Sequence, residues 1–176
     1  MAAISIRLAT PADLPGLVPL FNAYMRETYD APWHGSADAL RRDALGRRCT
    51  LHIAAGPNGR VHGFLGWIPS YDLHHCVSGA EVLDLYVAPE ARGRGLALAL
   101  ACAVAAAVAQ TDGRYLKGGA VDRGAGRRLY ARLAACSPNG ECHLSGRAFR
   151  QLATLAGQPL RSMIRGLPPV AWNHEA

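Results

Sequence analysis

The stretch Val82–Leu98, VLDLYVAPEARGRGLAL, constrains this chain more than any other. An apolar segment with strand-like residues is stopped at Pro89, a short basic glycine loop follows (Arg92-Gly93-Arg94-Gly95), and an unbroken apolar run begins at Leu96. Proline lacks the donor that a central strand needs, so the strand ends there. Leu96–Ala109 contains no glycine, proline or charge and is rich in alanine and leucine, which are strong helix formers. As a helix it spans roughly 21 Å, short of the about 30 Å of bilayer hydrocarbon, so a buried helix over about Arg92–Gln110 is expected. Strand, loop and helix together form a shape that suits an anion. The first turn of a helix has unpaired N–H groups and the positive end of the dipole. Gly93 and Gly95 lack a Cβ and let a pyrophosphate approach the backbone, while Arg92 and Arg94 add positive charge.

The other segments fill in around this unit. Ile4–Leu8 alternates and predicts a strand. Thr10-Pro11 opens a helix to about Tyr29, which Pro19 should kink or delay. Ser36 caps a second helix, roughly Ala37–Gly46. Thr50–Ala54 and Val61–Ile68 predict a hairpin around Gly56-Pro57-Asn58-Gly59. Tyr71–Gly79 is polar and rich in histidine and is expected to be a loop or strand end, followed by a strand at Glu81–Val87. Tyr115–Val121 is the next strand, Ala125–Ala135 a helix, Glu141–Leu144 a strand after Pro138-Asn139-Gly140, and Arg147–Ala156 a helix capped by Ser145. The tail is expected to end irregularly. Hairpins early and helical connections later imply an α/β fold with a mixed sheet and helices on both faces. No repeat or linker divides the 176 residues, so they are expected to form one domain.

Composition narrows the partners without choosing one. The net charge of +6 favours an anionic ligand, but the arginines are scattered and form no nucleic-acid tail. The five cysteines, Cys49, Cys76, Cys102, Cys136 and Cys142, are odd in number and lack CxxC spacing. Reduced thiols in a cytoplasmic protein are therefore expected. His74-His75-Cys76 and Cys136 with Cys142-His143 match no standard zinc spacing, so no metal is expected. The N-terminal residues show no signal-peptide pattern.

Two phosphate-loop patterns fail. The third glycine of GxGxxG/A falls on Leu98, and GxxxxGK[ST] does not occur. Arg92-x-x-Gly95-x-Ala97 instead resembles the [QR]-x-x-G-x-[GA] signature of the GNAT superfamily of N-acetyltransferases. Leu85-Tyr86-Val87 and Pro89 sit where that family has its strand and turn. The resemblance implies a mostly antiparallel GNAT-like sheet and acetyl-CoA as co-substrate. Leu85, Tyr86 and Val87 would offer backbone bonds to pantetheine, and Gly93, Arg94, Gly95, Leu96, Ala97 and Leu98 would wrap the pyrophosphate. Arg123–Tyr130 resembles the family's N-x-x-A-x-x-[LFY]-Y only at Leu129-Tyr130, with Arg123 and Gly126 replacing the asparagine and alanine. The family order of elements extends from Ile4 to about Leu144, leaving residues 145–176 as a C-terminal addition.

The implied chemistry is acetyl transfer to a primary amine of a small molecule or peptide. At neutral pH roughly one alkylamine in a few thousand is unprotonated, so a carboxylate that takes the proton helps. Glu81, where histone-type members carry their basic glutamate, is the candidate base; Asp84 is the alternative, on the opposite face under regular alternation unless the strand bulge that the resemblance implies shifts it. Leu83 holds another position that members use and has no acid. Tyr130, which the family places beside the thioester sulfur, is the candidate acid for the departing thiolate. Tyr24, Glu27, Tyr29, Asp30 and Trp33 fall at the junction that lines the acceptor side in the family, and two carboxylates among aromatics suit a cationic amine. A non-catalytic CoA-binding or sensory module, a toxin-like enzyme acting on aminoacyl-tRNA, and a homodimer stay open at this level.

Overall fold

The computed structural model describes residues 4–119 and 134–167. Seven strands form one sheet in the order β1-β2-β3-β4-β5-β7-β6. They are β1 (Ser5–Leu8), β2 (Thr50–Ala55), β3 (Val61–Asp72), β4 (Val77–Val87), β5 (Tyr115–Gly119), β6 (Ala135–Cys136) and β7 (Glu141–Ser145). Every neighbouring pair is antiparallel except β4–β5. The expected mixed, mostly antiparallel sheet is present, with helices on both faces.

Helix α1 (Leu14–Tyr29) covers one face through Phe21 and Tyr24, whose rings meet Phe64 of β3 at 4.4 and 5.8 Å between centroids. Helix α3 (Leu96–Ala109) crosses β2, β3 and β4 on the other face. The C-terminal helix α4 (Gly146–Thr154) lies beside α3, and the short α5 (Leu160–Gly166) follows it. Phe64, Ile53, Leu65, Leu100 and Val104 are sealed from solvent at the centre of this core.

Several expectations need correction. Pro19 does not interrupt α1. It lies on the exposed side of the helix, as does Pro15, where water can satisfy the carbonyl deprived of its partner. Of the two readings of the polar stretch Tyr71–Gly79, the strand end holds: β3 and β4 run into it, and Asp72 pairs with Val77 across a tight turn. Asp72 Oδ1 accepts from the backbone N–H of His74 and His75 at 2.8 and 3.3 Å, so an aspartate turn closes the hairpin. Ser36 does cap the second helix, accepting from Ala39 N–H at 3.1 Å. That helix, α2 (Ala37–Ala39), passes at once into a wider turn, Leu40–Ala44. The helix expected over Ala125–Ala135 falls mostly outside the described residues, and Ala135 itself opens β6. A short helix, α5, precedes the tail's end, and residues 168–176, expected to be irregular, lie outside the described residues.

The cysteine expectation fails at one pair. Cys136 and Cys142 face each other in the β6–β7 register and form a disulfide, with Cα atoms 4.0 Å apart. The turn Pro138-Asn139-Gly140 between them places the two opposite, which the odd total concealed. Cys49, Cys76 and Cys102 are free.

Candidate active site

The parallel β4–β5 register stops at Val82 opposite Gly118. From Leu83 to Val87, β4 remains paired with β3 on one side, as far as Val87 opposite Gly63. On the β5 side, no strand among the described residues pairs with it. The strands part here and leave a row of backbone donors and acceptors facing a gap.

A bulge adjusts β4 beside this gap. Asp84 faces Gly66 and Val82 faces Trp67, so Leu83 is the extra residue. The insertion shifts the alternation of side chains. Glu81 and Asp84 consequently share the α1 face, although regular alternation would put them on opposite faces.

The strand leads into a turn, Pro89–Ala91, and then the glycine loop. Gly93 and Gly95 both have φ of +73°, the left-handed region that favours glycine. The space a side chain would occupy at Gly93 is open, whereas at Gly95 a Cβ would run into Leu160 of α5. Gly95 caps α3 without a side-chain hydrogen bond. The N–H groups of Leu96, Ala97 and Leu98 therefore begin the helix without helical partners.

Arg92 does not point into free space. Its Nε donates to Val87 O at 2.9 Å and its terminal nitrogen to Glu27 Oε2 at 2.7 Å. Tyr86 donates its hydroxyl to the same carboxylate oxygen at 2.9 Å, and the guanidinium lies 5.5 Å from the centre of the Tyr86 ring. The Arg92 hydrogen bond holds the Glu27 carboxyl below its usual range, with Tyr86 adding to the effect. Arg92 and Glu27, expected on the phosphate and acceptor sides, are thus brought together as a pin between α1 and the loop. Arg94 is exposed and makes no ion pair among the described residues.

Tyr24 is buried and donates its hydroxyl to Asp84, while the Tyr29 hydroxyl lies 3.3 Å from that of Tyr24. Burial, followed by the neighbouring Asp84, pushes the Tyr24 phenol far up, so it remains a proton donor throughout the physiological range. Glu81 lies farther along β4, with Lys117 Nζ 3.5 Å from its carboxylate. Tyr24, Tyr29 and Asp84 form one cluster, and Glu81 shares their face of the sheet. Trp33 stacks on Phe21 at 5.2 Å, and Asp30 ends α1 in the left-handed region. Tyr130 and the stretch Arg123–Leu129 lie outside the described residues. No group of three or more His, Cys, Asp or Glu among the described residues could hold a metal ion.

The sequence pattern of the acetyltransferase (GNAT) family matches residues 17–135. The chain belongs to the GNAT acetyltransferase family. It is accordingly an acetyl-CoA-dependent N-acetyltransferase, and the matched segment contains both the parted strands and the glycine loop. Solved structures agree in fold. A ribosomal-protein-alanine N-acetyltransferase from Brucella melitensis superposes with a TM-score of 0.64 at 23% identity, covering 77% of this chain and 94% of that one. A PaiA N-acetyltransferase from Thermoplasma acidophilum, in complex with coenzyme A, gives 0.63 at 14% identity over 82% and 99% of the two chains. A GNAT family N-acetyltransferase from Escherichia coli, in complex with CoA, gives 0.56 at 18% identity over 82% of each. No match is found among curated protein sequences.

Sequence reasoning missed two parts of this acetyltransferase's site. The Tyr86 hydroxyl completes the Arg92–Glu27 pin, although the strand suggested only backbone contacts for Tyr86. Lys117 faces Glu81 because β5 runs parallel to β4 at that point. Neither has a local signal, since both depend on which elements become neighbours.

Proposed function

We propose that this enzyme transfers an acetyl group from acetyl-CoA to a primary amine of a small molecule or peptide by direct attack in a ternary complex. The supporting observation is the parting of β4 and β5 directly before a loop with two left-handed glycines and a helix start with free N–H groups. In this reading pantetheine lies along the free edge at Leu85, Tyr86 and Val87. The pyrophosphate sits on the backbone of Gly93–Leu98, with Arg94 supplying charge and Arg92 positioning the loop. The cationic acceptor approaches from the α1 face, where Asp84, Tyr24 and Tyr29 attract and orient it.

Glu81, directly or through water, takes the ammonium proton. The amine lone pair then attacks the thioester carbonyl, the nitrogen gives up its second proton to water, and the C–S bond breaks as the amide forms. Tyr130 returns a proton to the departing thiolate. Glu27 serves the reaction through Arg92 rather than by touching the acceptor.

The test is a thiol-release assay with acetyl-CoA across amines, amino acids, peptides and aminoacyl-tRNA, paired with a melting curve. Binding to the folded state raises the melting temperature with ligand concentration. We expect that rise together with turnover on at least one small or peptide amine. A rise with no turnover on any acceptor would favour a CoA-binding module, and no rise would remove the reading altogether.

A further inference from the structure

The face of the sheet opposite the acceptor side carries a cleft of about 1000 Å³, at the upper end of the range of small-molecule sites. Its origin is visible in the sequence. Helix α3 turns Ala99, Ala103 and Ala106 toward the sheet edge, positions that recur at helical spacing. These small side chains do not reach Ile6 and Leu8 of β1 or Trp67 of β3, which form the opposite wall. Met163 and Leu160 of α5 close one end.

Ser5, Thr50, Gln110 and Gln158 also line this space, and a buried histidine and an arginine set its chemistry. His52, only 6% exposed, lies in the wall of the cleft. Trp67 Nε1–H donates to His52 Nδ1 at 3.2 Å. An acceptor at Nδ1 places the proton of a neutral imidazole on Nε2. Burial lowers the affinity of this ring for a second proton, so the neutral form prevails. Nε2–H has no acceptor among the described residues and is left as a donor in an apolar space. The second feature is charge. Among the described residues of the lining, Arg94 is the only charged one, and none is aspartate or glutamate.

We infer that this cleft, which borders the cofactor loop at Arg94, Gly95 and Leu96, is a binding site for a small amphipathic carboxylic acid on the face opposite the acceptor side. The apolar body lies between the alanine stripe and Ile6, Leu8 and Trp67. The carboxylate or another acceptor oxygen takes the hydrogen bond of His52 Nε2–H, in the field of Arg94. An uncharged molecule of the same shape satisfies only the apolar walls and the histidine. A cationic one meets Arg94 unfavourably. The inference does not depend on the acceptor side, and binding can be measured without any acetyl-CoA.

The experiment titrates the full chain with decanoate, decanol and decylamine, following Trp67 fluorescence and the heat of binding. Decanoate is expected to saturate one site per chain, with decylamine at least about tenfold weaker. Ala103→Leu, which places a larger side chain in the cleft, should weaken decanoate at least about tenfold while leaving the acetyl-CoA-induced rise in melting temperature in place. His52→Gln retains both an acceptor for Trp67 and a donor for the ligand, and should hold affinity better than His52→Leu. No saturable decanoate binding, equal binding of decylamine, or binding indifferent to Ala103→Leu would each overturn the proposal. So would decanoate binding that appears only after removal of residues 168–176, because the chain's own tail would then be the occupant. An Ala103→Leu variant that shifts a dimer to a monomer would equally overturn it, because a second copy would be the occupant.

Discussion

The two faces of the sheet solve the same packing problem in opposite ways. On the α1 side, Phe21, Tyr24, Phe64 and Tyr86 interlock at centroid distances of 4.4 to 6.2 Å. Their polar ends are tied to Asp84 and Glu27. On the α3 side, near β1, an alanine stripe faces the sheet and leaves a cleft. Aromatic rings fix geometry at low conformational cost, which suits a face that must hold two carboxylates and an arginine in place. Alanine favours the helix and fills little space, so the other face is stable along its helix while remaining open to a guest.

Mutation should separate the faces. Phe64→Ala removes a ring from the densest part of the α1 side and should cost about 3–5 kcal/mol in denaturant unfolding; a loss below about 1 kcal/mol would show that this face is not the rigid one. Glu81→Gln should lower kcat about 100-fold with acetyl-CoA affinity unchanged, and a matching loss of affinity would indicate a packing role.

Asp13 anchors the start of α1. It accepts two hydrogen bonds from Arg7, at 2.8 and 2.6 Å, and two from Thr10. The Arg7 bonds hold its carboxyl well below the usual carboxylate range. Its folded pKa is lower than its unfolded one, so the stabilisation is present above about pH 4 and is lost as pH falls further. Unfolding free energies from urea melts should fall by about 1 kcal/mol more between pH 6 and pH 3 in the parent than in Asp13→Asn; parallel profiles would exclude this anchor. Asp84→Asn should raise KM for a cationic acceptor about tenfold with a smaller change in kcat, and an unchanged KM would remove Asp84 from the acceptor side. The smallest effect belongs to the open face: Ala106→Leu adds volume where there is room and should change stability by less than about 1 kcal/mol, whereas a larger loss would mean the cleft is already filled.

The features legible in the sequence were those made by neighbours along the chain. Pro89 ends a strand, Gly93 and Gly95 permit a left-handed loop, and Leu96–Ala109 continues as a helix, all by local chemistry. Ser36 likewise showed its cap. The bulge at Leu83 was expected from the family resemblance alone and has no local mark, because it exists only against Gly66 and Trp67 of another strand. A local mark is equally absent for the Arg92–Glu27 pin, whose partners are far apart in sequence, and for the disulfide, which needs the β6–β7 register. The His-rich stretch could be read only as a loop or strand end, because exposed strand ends carry polar residues on both faces, which erases the alternation that marks a strand.

The contact between Gly95 and Leu160 joins the family's own segment to residues outside it. The matched pattern ends at residue 135, yet the cofactor loop presses against a side chain from α5. The two positions are therefore sterically coupled: any residue larger than glycine at Gly95 requires a retreat at Leu160. A domain cut at the family boundary would keep every residue of the signature and lose the support behind it.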